Sequence, residues 1–316
     1  MRPSYIDEFI ERGYAKIKVS GELLAMLRSQ LQLGRLLHAS TVEQKRRVFI
    51  GNGVGAKGYW PSGDEYSQFY ESRQHDHICH ARRYRSFDFS LELDADGENL
   101  TRDILHAPNI WPDWIPNFRT ESQKVMQSLH AVASSVLVES LQRLGIAGKI
   151  EDFSRSVGTM RLIKYPDSSG SELLLPAHSD YEFITLSYCD VPGLEVSSRT
   201  GEIDRVCEEP DDLVLMAGDF LEILSDFAIP APVHQVRPAG ERHSIVLFLC
   251  SNYGLCIRPG QIFSHAETPN NEPFSPAKHL CTMHLMNNPH LTDRVRSGEL
   301  NYMIPRDLRN PLKRHV

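Results

Sequence analysis

The strongest constraint on the fold is a stretch at residues 157–249 in which short apolar and β-branched runs alternate with proline and glycine. Runs of this length and composition predict β-strands, and turn residues at such close spacing predict a sandwich or barrel. The clearest runs are residues 159–165, 183–188, 213–216 and 244–249. We therefore expect a β core in this part of the chain.

The preceding part of the chain has a helical pattern. Between Asn117 and Leu144 apolar residues recur at helical spacing, and Gly145 stands where such a helix would end. Asn117 or Thr120 could cap its start, and Thr120 with Gln123 has the spacing of a capping box. Shorter elements are predicted earlier in the chain: a strand at residues 14–19, a helix capped by Ser20 and a helix at residues 43–49. Helices packed on the outside of a β core predict the α+β class.

Composition restricts the partners of the chain. Its 316 residues carry a net charge of -7, so there is no overall basic field, and we expect no nucleic-acid partner. No segment approaches the ~18 apolar residues of a membrane helix, and we expect neither secretion nor a membrane partner. The six cysteines form no Cys-x-x-Cys pair, which favours reduced thiols in a cytoplasmic protein.

A His-x-Asp pair gives the sharpest chemical signal. Residues two apart in a strand point to the same side, so His178 and Asp180 can converge on one ion. His234 lies in an apolar, β-prone segment where a lone imidazole is costly to bury, which makes it the candidate third ligand. Two imidazoles and one carboxylate form the facial triad of non-haem iron sites, with open positions opposite. Taken alone, the His-x-Asp pair is equally compatible with a surface loop.

Two further polar residues lie just past His234, on a predicted interior strand. Arg242 and Ser244 are two residues apart, so they share a face of that strand. An arginine fork binds a carboxylate bidentately, and a serine hydroxyl donates to the same group. The pair therefore predicts a carboxylate site beside the metal.

A second group of histidines offers an alternative metal site. His75, His77 and His80 fall within six residues and could chelate zinc in a hydrolase. The segment lacks the His-Glu-x-x-His spacing of a zinc-binding helix, so a polar loop is the preferred interpretation.

The order His-x-Asp, distant His, Arg-x-Ser resembles the hallmark of the isopenicillin N synthase-like branch of the 2-oxoglutarate/Fe(II)-dependent dioxygenases. Other segments are similar to conserved stretches of that family: residues 11–15, 57–59, 63–65 and 109–112. The similarity runs over residues 7–259. The resemblance implies a distorted double-stranded β-helix, or jelly roll, with flanking helices and the metal between its sheets.

The same resemblance assigns the site residues. The implied Fe(II) ligands are His178, Asp180 and His234. The implied contacts of the cosubstrate 2-oxoglutarate are Tyr165, Arg242 and Ser244. Many plant members of the family carry Asn two residues before that tyrosine, and this chain has Ile163 instead.

The resemblance also implies a division of the chain. Residues 1–150 would form the mostly helical N-terminal region of the dioxygenase fold. Residues 151–260 would form the Fe(II)/2-oxoglutarate jelly-roll core. Residues 261–316 would form a C-terminal tail or helical segment packed on that core.

For the reaction, the resemblance implies that dioxygen attacks bound 2-oxoglutarate, that succinate and carbon dioxide leave, and that a ferryl species abstracts a hydrogen atom from a small-molecule substrate. Hydroxylation is the default outcome, with desaturation and oxidative cyclisation left open. Asp180 fills the position that halogenating relatives leave for chloride. Two alternatives stand: an oxidase of the isopenicillin N synthase type, which uses O2 without 2-oxoglutarate, and a non-catalytic barrel that binds a small acid.

The substrate is predicted from strand alternation. Arg161 shares a strand face with Tyr165, so both point into the barrel if either does. An inward arginine is a candidate anchor for a substrate carboxylate, such as that of an amino acid, and a structural ion pair is the alternative. Tyr181 and Phe183 are expected to line the same cavity.

Overall fold

The computed structural model describes residues 4–53, 55–69, 83–92, 104–105, 107–146, 158–197, 202–250 and 275–300. The elements below all lie in these ranges. His75, His77 and His80, the alternative histidine group, lie outside the described residues.

Antiparallel strands make up the core of the described chain. They are β1 (Tyr14–Lys18), β2 (Gly58–Trp60), β3 (Arg85–Ser90), β4 (Gly158–Tyr165), β5 (Leu175–His178), β6 (Ile184–Cys189), β7 (Leu194–Ser197), β8 (Ile203–Arg205), β9 (Asp212–Ala217), β10 (His234–Val236) and β11 (Arg242–Leu249). All four of the clearest predicted strands are present, as β4, β6, β9 and β11.

Two sheets are built from these strands. The larger has seven strands in the order β1-β9-β6-β11-β4-β3-β2, and the smaller has four in the order β5-β10-β7-β8. Apolar side chains from both sheets pack together in one cluster, including Ile163 and Val246 from the larger sheet and Val196 and Val236 from the smaller. This arrangement is the predicted double-stranded β-helix core with flanking helices.

The helices lie at the ends and on one face of this core. They are α1 (Tyr5–Arg12), α2 (Gly21–Ala39), α3 (Val42–Arg47), α4 (Phe118–Arg143), α5 (Asp219–Leu224), α6 (Pro276–Asn287) and α7 (Pro289–Arg296). The long helices α2 and α4 pack on each other and on strands β4, β6 and β11. None of the helices within the described ranges is long and apolar enough to cross a membrane.

The two faces of the larger sheet carry different kinds of side chain, because successive residues of a strand point to opposite faces. Leu162 on β4 and Leu247 on β11 belong to the large apolar core, together with Leu27 of α2 and Leu129 of α4. Their neighbours Arg161, Ile163, Ser244 and Val246 line a cavity on the opposite face. One face therefore supplies the stability of the fold and the other supplies the site.

The predicted capping box at the start of α4 is wrong. The helix begins after Asn117, which has a left-handed φ of 61° and makes no side-chain cap. The Gln123 amide instead donates to the backbone oxygen of Ser90 at 2.9 Å and accepts from the backbone N–H of Glu92 at 2.9 Å. A tertiary contact with the end of β3 has taken the side chain that the local pattern assigned to the cap.

Candidate active site

The two candidate histidine ligands face each other across a strand pair. β5 and β10 run antiparallel, and His178 lies directly opposite His234 in the register. Directly opposed residues have Cβ atoms about 4.5–5.5 Å apart, so the pairing itself places the imidazoles side by side. Their ring centroids are 4.4 Å apart. The smaller sheet therefore places two of the three candidate ligands, His178 and His234, next to each other.

Backbone hydrogen bonds fix the tautomer of both rings. Nδ1 of His178 lies 2.8 Å from the oxygen of Pro176, and Nδ1 of His234 lies 3.2 Å from the oxygen of Pro232. A carbonyl oxygen only accepts, so each Nδ1 carries the hydrogen and each Nε2 keeps its lone pair. Burial lowers the pKa of His178, as does the neighbouring His234, and Asp180 opposes the shift. Neutral imidazole with a free Nε2 is the form that binds a metal.

Asp180 completes the triad from the connection between β5 and β6. Its Oδ1 lies 3.7 Å from Nε2 of His178 and its Oδ2 lies 3.7 Å from Nε2 of His234. The three ligand atoms are all within 4.8 Å of one another. Thr185 on β6 donates to Oδ2 at 2.5 Å and so orients the carboxylate. The donor set and its spacing fit a divalent ion of the non-haem iron type.

The loop at residues 180–183 is fastened to residues 218–220. Three backbone hydrogen bonds, of 2.8, 3.1 and 3.1 Å, join the two segments. The approach is close enough to require glycine, since a Cβ on Gly218 would lie 2.1 Å from the backbone oxygen of Glu182. This contact holds the carboxylate ligand in place, because Asp180 is the first residue of the loop.

Arg242 and Tyr165 form a buried pair on neighbouring strands. They are opposite each other in the register of β11 and β4, and the guanidinium carbon lies 5.4 Å from the centre of the phenol ring. Arg242 is 2% exposed, and so is Ser244, two residues further along β11. The hydroxyl of Ser244 has no hydrogen-bond partner among the described residues. A buried guanidinium beside an unused buried hydroxyl fits the carboxylate of 2-oxoglutarate.

Sequence reasoning missed a buried counter-charge of Arg242. Oε1 of Glu208 lies 3.0 Å from Nη2 of the arginine, and the two side chains are 3% and 2% exposed. Glu208 also accepts from Sγ of Cys189 at 3.1 Å and from the backbone N–H groups of Gly193 and Leu194 at 3.0 and 3.3 Å. The arginine is therefore charge-balanced before any ligand binds. Nothing in the acidic segment around residue 208 indicates burial, so the sequence carried no signal for it.

Between the two sheets lies a cavity of about 460 Å³ that contains the triad. Eight of the nine predicted site residues line it, Arg161 and Tyr181 among them. Phe183 lies elsewhere: it is fully buried in the large apolar core, with its ring 5.7 Å from that of Phe220. The chain bends at residues 181–183, so the side-chain alternation of β6 does not extend back to Phe183.

Arg161 is held in an ion pair with Asp88. The two residues are opposite each other on β4 and β3. Nε of the arginine lies 2.9 and 3.1 Å from the two carboxylate oxygens, and Nη2 lies 2.7 Å from Oδ2. The Asp88 side chain is fully buried. The ion pair that the sequence offered as an alternative is thus present, and Arg161 lines the cavity as well.

Residues 156–251 match the family model described as the 2OG-Fe(II) oxygenase superfamily. This segment of the chain is similar to that superfamily. The matched residues contain the triad, Arg242 and Ser244. The family model and the His-Asp-His triad together indicate Fe(II) as the metal and 2-oxoglutarate as the cosubstrate.

Similar proteins of known name agree with this assignment. The chain is 30% identical to codeine O-demethylase of Papaver somniferum over 174 residues, which is 52% of this chain and 48% of that protein. It is 27% identical to isopenicillin N synthase of Hapsidospora chrysogena over 178 residues, 49% of this chain and 52% of that protein. The chain thus spans about half the length of the named relatives it matches. Isopenicillin N synthase is one of several such names, so the matches support the superfamily as a whole.

The likeness in fold extends beyond the matched segment. The crystal structure of a 2OG-Fe(II) oxygenase family protein from Caulobacter crescentus superimposes with a TM-score of 0.72 at 23% identity, covering 93% of this chain and 92% of that one. At this identity the likeness concerns the fold alone. The helices and strands outside residues 156–251 therefore belong to the same architecture as the core.

Proposed function

We propose that this protein is an Fe(II)- and 2-oxoglutarate-dependent oxygenase that oxidises a small, carboxylate-bearing metabolite. The observation that carries the proposal is the convergence of His178, Asp180 and His234, with ligand atoms within 4.8 Å, in a cavity that also contains Arg242 and Ser244. Metal ligands and a carboxylate site in one cavity are what coupled oxidation of 2-oxoglutarate and a substrate requires.

Each residue has a defined task in this proposal. Nε2 of His178, Nε2 of His234 and the carboxylate of Asp180 would hold Fe(II), and Thr185 keeps that carboxylate oriented. When bound, Fe(II) with 2-oxoglutarate and O2 supplies the oxidising power that removes a hydrogen atom from the substrate, with succinate and carbon dioxide as products. The residues of the chain bind and orient the reactants and keep the iron in a partly enclosed cavity.

The cosubstrate would be held by its distal carboxylate. Arg242 and Ser244 lie on one face of β11 and both line the cavity, and Tyr165 stands opposite the arginine on β4. The unused hydroxyl of Ser244 would donate to the carboxylate, and the guanidinium would neutralise it. The remaining polar walls of the cavity, with Arg161 and Tyr181, are left for the substrate.

Hydroxylation is the proposed outcome, and desaturation or oxidative cyclisation differ from it only in the fate of the substrate radical. The competing function is an oxidase that uses O2 without 2-oxoglutarate, as the likeness to isopenicillin N synthase allows. We also propose a cytoplasmic location, supported by the free thiols at Cys189 and Cys207.

Metal and cosubstrate binding test the proposal directly. Purified protein reconstituted anaerobically with Fe(II) should hold one iron per chain and bind 2-oxoglutarate in isothermal titration calorimetry. His234→Ala should lose the iron, and His130→Gln, on the outer helix α4, should retain it. Retention of iron by His234→Ala would refute the assigned site.

The requirement for 2-oxoglutarate separates the two oxidation chemistries. Substrate-dependent formation of succinate from 2-oxoglutarate is the expected result, measured across amino acids and small natural products. Oxygen consumption that depends on substrate but is unaffected by omission of 2-oxoglutarate would instead establish the oxidase. A protein that binds small acids but no iron would be the non-catalytic barrel.

A further inference from the structure

Three polar side chains on the cavity wall have hydrogen-bonding capacity that the fold does not use. They are Arg161, Glu182 and Asn288, and all three line the cavity that contains the triad. None of them belongs to the metal ligands or to the proposed contacts of 2-oxoglutarate. Their unused hydrogen-bonding groups are therefore available to bind a substrate.

Asn288 is the clearest of the three. It is fully buried at the junction of α6 and α7, where its backbone N–H donates to the oxygen of His284 at 2.9 Å and its backbone oxygen accepts from Leu291 at 3.1 Å. Its amide oxygen and amide nitrogen both have no hydrogen-bond partner in the described part of the chain. Buried amides without partners are rare in native proteins, and one that lines a cavity indicates a ligand with complementary groups.

Glu182 places a carboxyl group in the same cavity, two residues after the metal ligand Asp180. Within the described ranges, no other residue donates a hydrogen bond to this carboxyl or pairs with it as an ion. The loop that carries it is held against Gly218, so the group is presented by a rigid segment. A carboxyl group so placed can accept a hydrogen bond from a ligand in the cavity.

Arg161 retains one unused nitrogen. Nε and Nη2 bind Asp88, and Nη1 makes no hydrogen bond to any residue in the ranges that the structure describes. Asp88 thus uses two of the three guanidinium nitrogens, and Glu182 places a carboxyl group in the same cavity as the third. A substrate with a carboxylate alone would leave the oxygens of Glu182 without a hydrogen-bond donor, whereas a substrate that also carries N–H donors would supply one.

We propose that the substrate is an α-amino acid or a small derivative with a free amine. Its amine N–H groups would donate to Glu182, its carboxylate would accept from Nη1 of Arg161, and Asn288 would bind a further polar group. This inference rests on the proposed oxygenase function and narrows its substrate class. Glu182 then determines specificity, because it distinguishes an amino acid from the acid that lacks the amine.

Matched probes test this assignment on the loaded protein. The probes are the L-α-amino acids and the corresponding carboxylic acids without the amino group, titrated calorimetrically against protein holding Fe(II) and 2-oxoglutarate under anaerobic conditions. At least one amino acid should bind, and its deaminated counterpart should bind about tenfold more weakly or worse, as loss of a charge-assisted hydrogen bond predicts.

Variants identify which side chains cause the preference for the amino acid over the deaminated acid. Glu182→Gln should weaken binding of that amino acid by about tenfold or more and leave binding of the deaminated acid unchanged. Asn288→Ala should also weaken binding of the amino acid. Glu139→Gln, an exposed change on α4, is the matched control and should bind as the unaltered protein does.

The comparison of probes on the unaltered protein decides the matter even if a variant fails to fold. Equal affinity for an amino acid and its deaminated acid, or binding of no amino acid by protein that does hold Fe(II) and 2-oxoglutarate, overturns the inference and leaves the oxygenase proposal standing. Failure to bind Fe(II) and 2-oxoglutarate overturns both together.

Discussion

Glu208→Gln changes the charge of the proposed cosubstrate site while preserving its shape. The glutamate and Arg242 are 3% and 2% exposed and lie 3.0 Å apart, so the ion pair is removed from solvent. Removing one partner of a buried pair costs about 3–5 kcal/mol, because the other charge is left uncompensated. The glutamine oxygen can still accept from the backbone N–H groups of Gly193 and Leu194, so we expect a loss of about 3 kcal/mol in the free energy of unfolding.

Although Glu208→Gln should lower the stability of the fold, it should tighten the binding of 2-oxoglutarate. In the unaltered protein the cosubstrate carboxylate would meet an arginine that Glu208 already neutralises. In the variant, the carboxylate would supply the missing negative charge and relieve part of the penalty. Relief of about 1.4 kcal/mol would tighten binding by about tenfold. The variant should therefore be less stable without 2-oxoglutarate and gain more stability from it.

Urea unfolding with and without 2-oxoglutarate measures both effects, and isothermal titration calorimetry gives the affinity. The matched control is Glu209→Gln, because Glu209 is the adjacent residue and is exposed. The control should leave both quantities unchanged. An unaltered free energy of unfolding for Glu208→Gln, or weaker binding of 2-oxoglutarate than in the unaltered protein, would refute the argument from charge balance.

The site geometry gives three further predictions. Thr185→Val removes the 2.5 Å hydrogen bond to Asp180 and should lower the affinity for Fe(II) by roughly 10–100-fold in a chelator competition, as for other residues that orient ligands. Gly218→Ala places a Cβ 2.1 Å from the oxygen of Glu182 and should cost about 1–3 kcal/mol in urea unfolding, with weaker iron binding. Burial would raise the pKa of Asp190, but hydrogen bonds from His243 and Arg35 lower it from 3.8 to about 2. The ionised carboxylate should therefore contribute about 2 kcal/mol of stability above pH ~4 that is lost as the pH falls towards 2, and Asp190→Asn should abolish this part of the acid dependence of urea unfolding.

Each of these three predictions has a control variant or a result that would contradict it. Thr185→Ser keeps the hydroxyl and should restore iron affinity, so equal weakening by Ser and Val would contradict the hydrogen-bond argument. Gly34→Ala, whose added Cβ would only make ordinary contacts of 3.7 Å, should be tolerated. For Asp190, identical acid unfolding curves for the variant and the unaltered protein would show that its ionisation is not coupled to folding.

Much of the fold was predictable because its signals are local. Strands β4, β6, β9 and β11 follow from runs of β-branched and apolar residues, and α4 follows from helical periodicity. The triad was predictable for a related reason. A histidine in an apolar strand requires a partner, so His234 could be predicted as a ligand from its surroundings. His178 and Asp180 could be predicted from the His-x-Asp spacing, but β5 ends at His178 and Asp180 lies in the connection that follows, so they do not share a strand face.

The sequence also contains a signal for the two histidine ligands that the prediction of the triad did not include. Both histidines stand two residues after a proline, Pro176 and Pro232, and in each case the proline oxygen fixes the tautomer of the ring. A paired Pro-x-His pattern therefore marks the histidines as oriented ligands. The acidic residue at position 182, in step with His178 and Asp180, was a second such signal.

By itself, the sequence determined the main strands and the long helix and indicated the candidate site residues, because alternation and periodicity are properties of the local backbone. Only the tertiary structure decided their partners. That Glu208 neutralises Arg242, that Asp88 holds Arg161, and that Phe183 leaves the cavity depend on which distant segments meet. Such contacts are set by packing across the sheets, and residues brought together from distant parts of the chain leave no pattern along it.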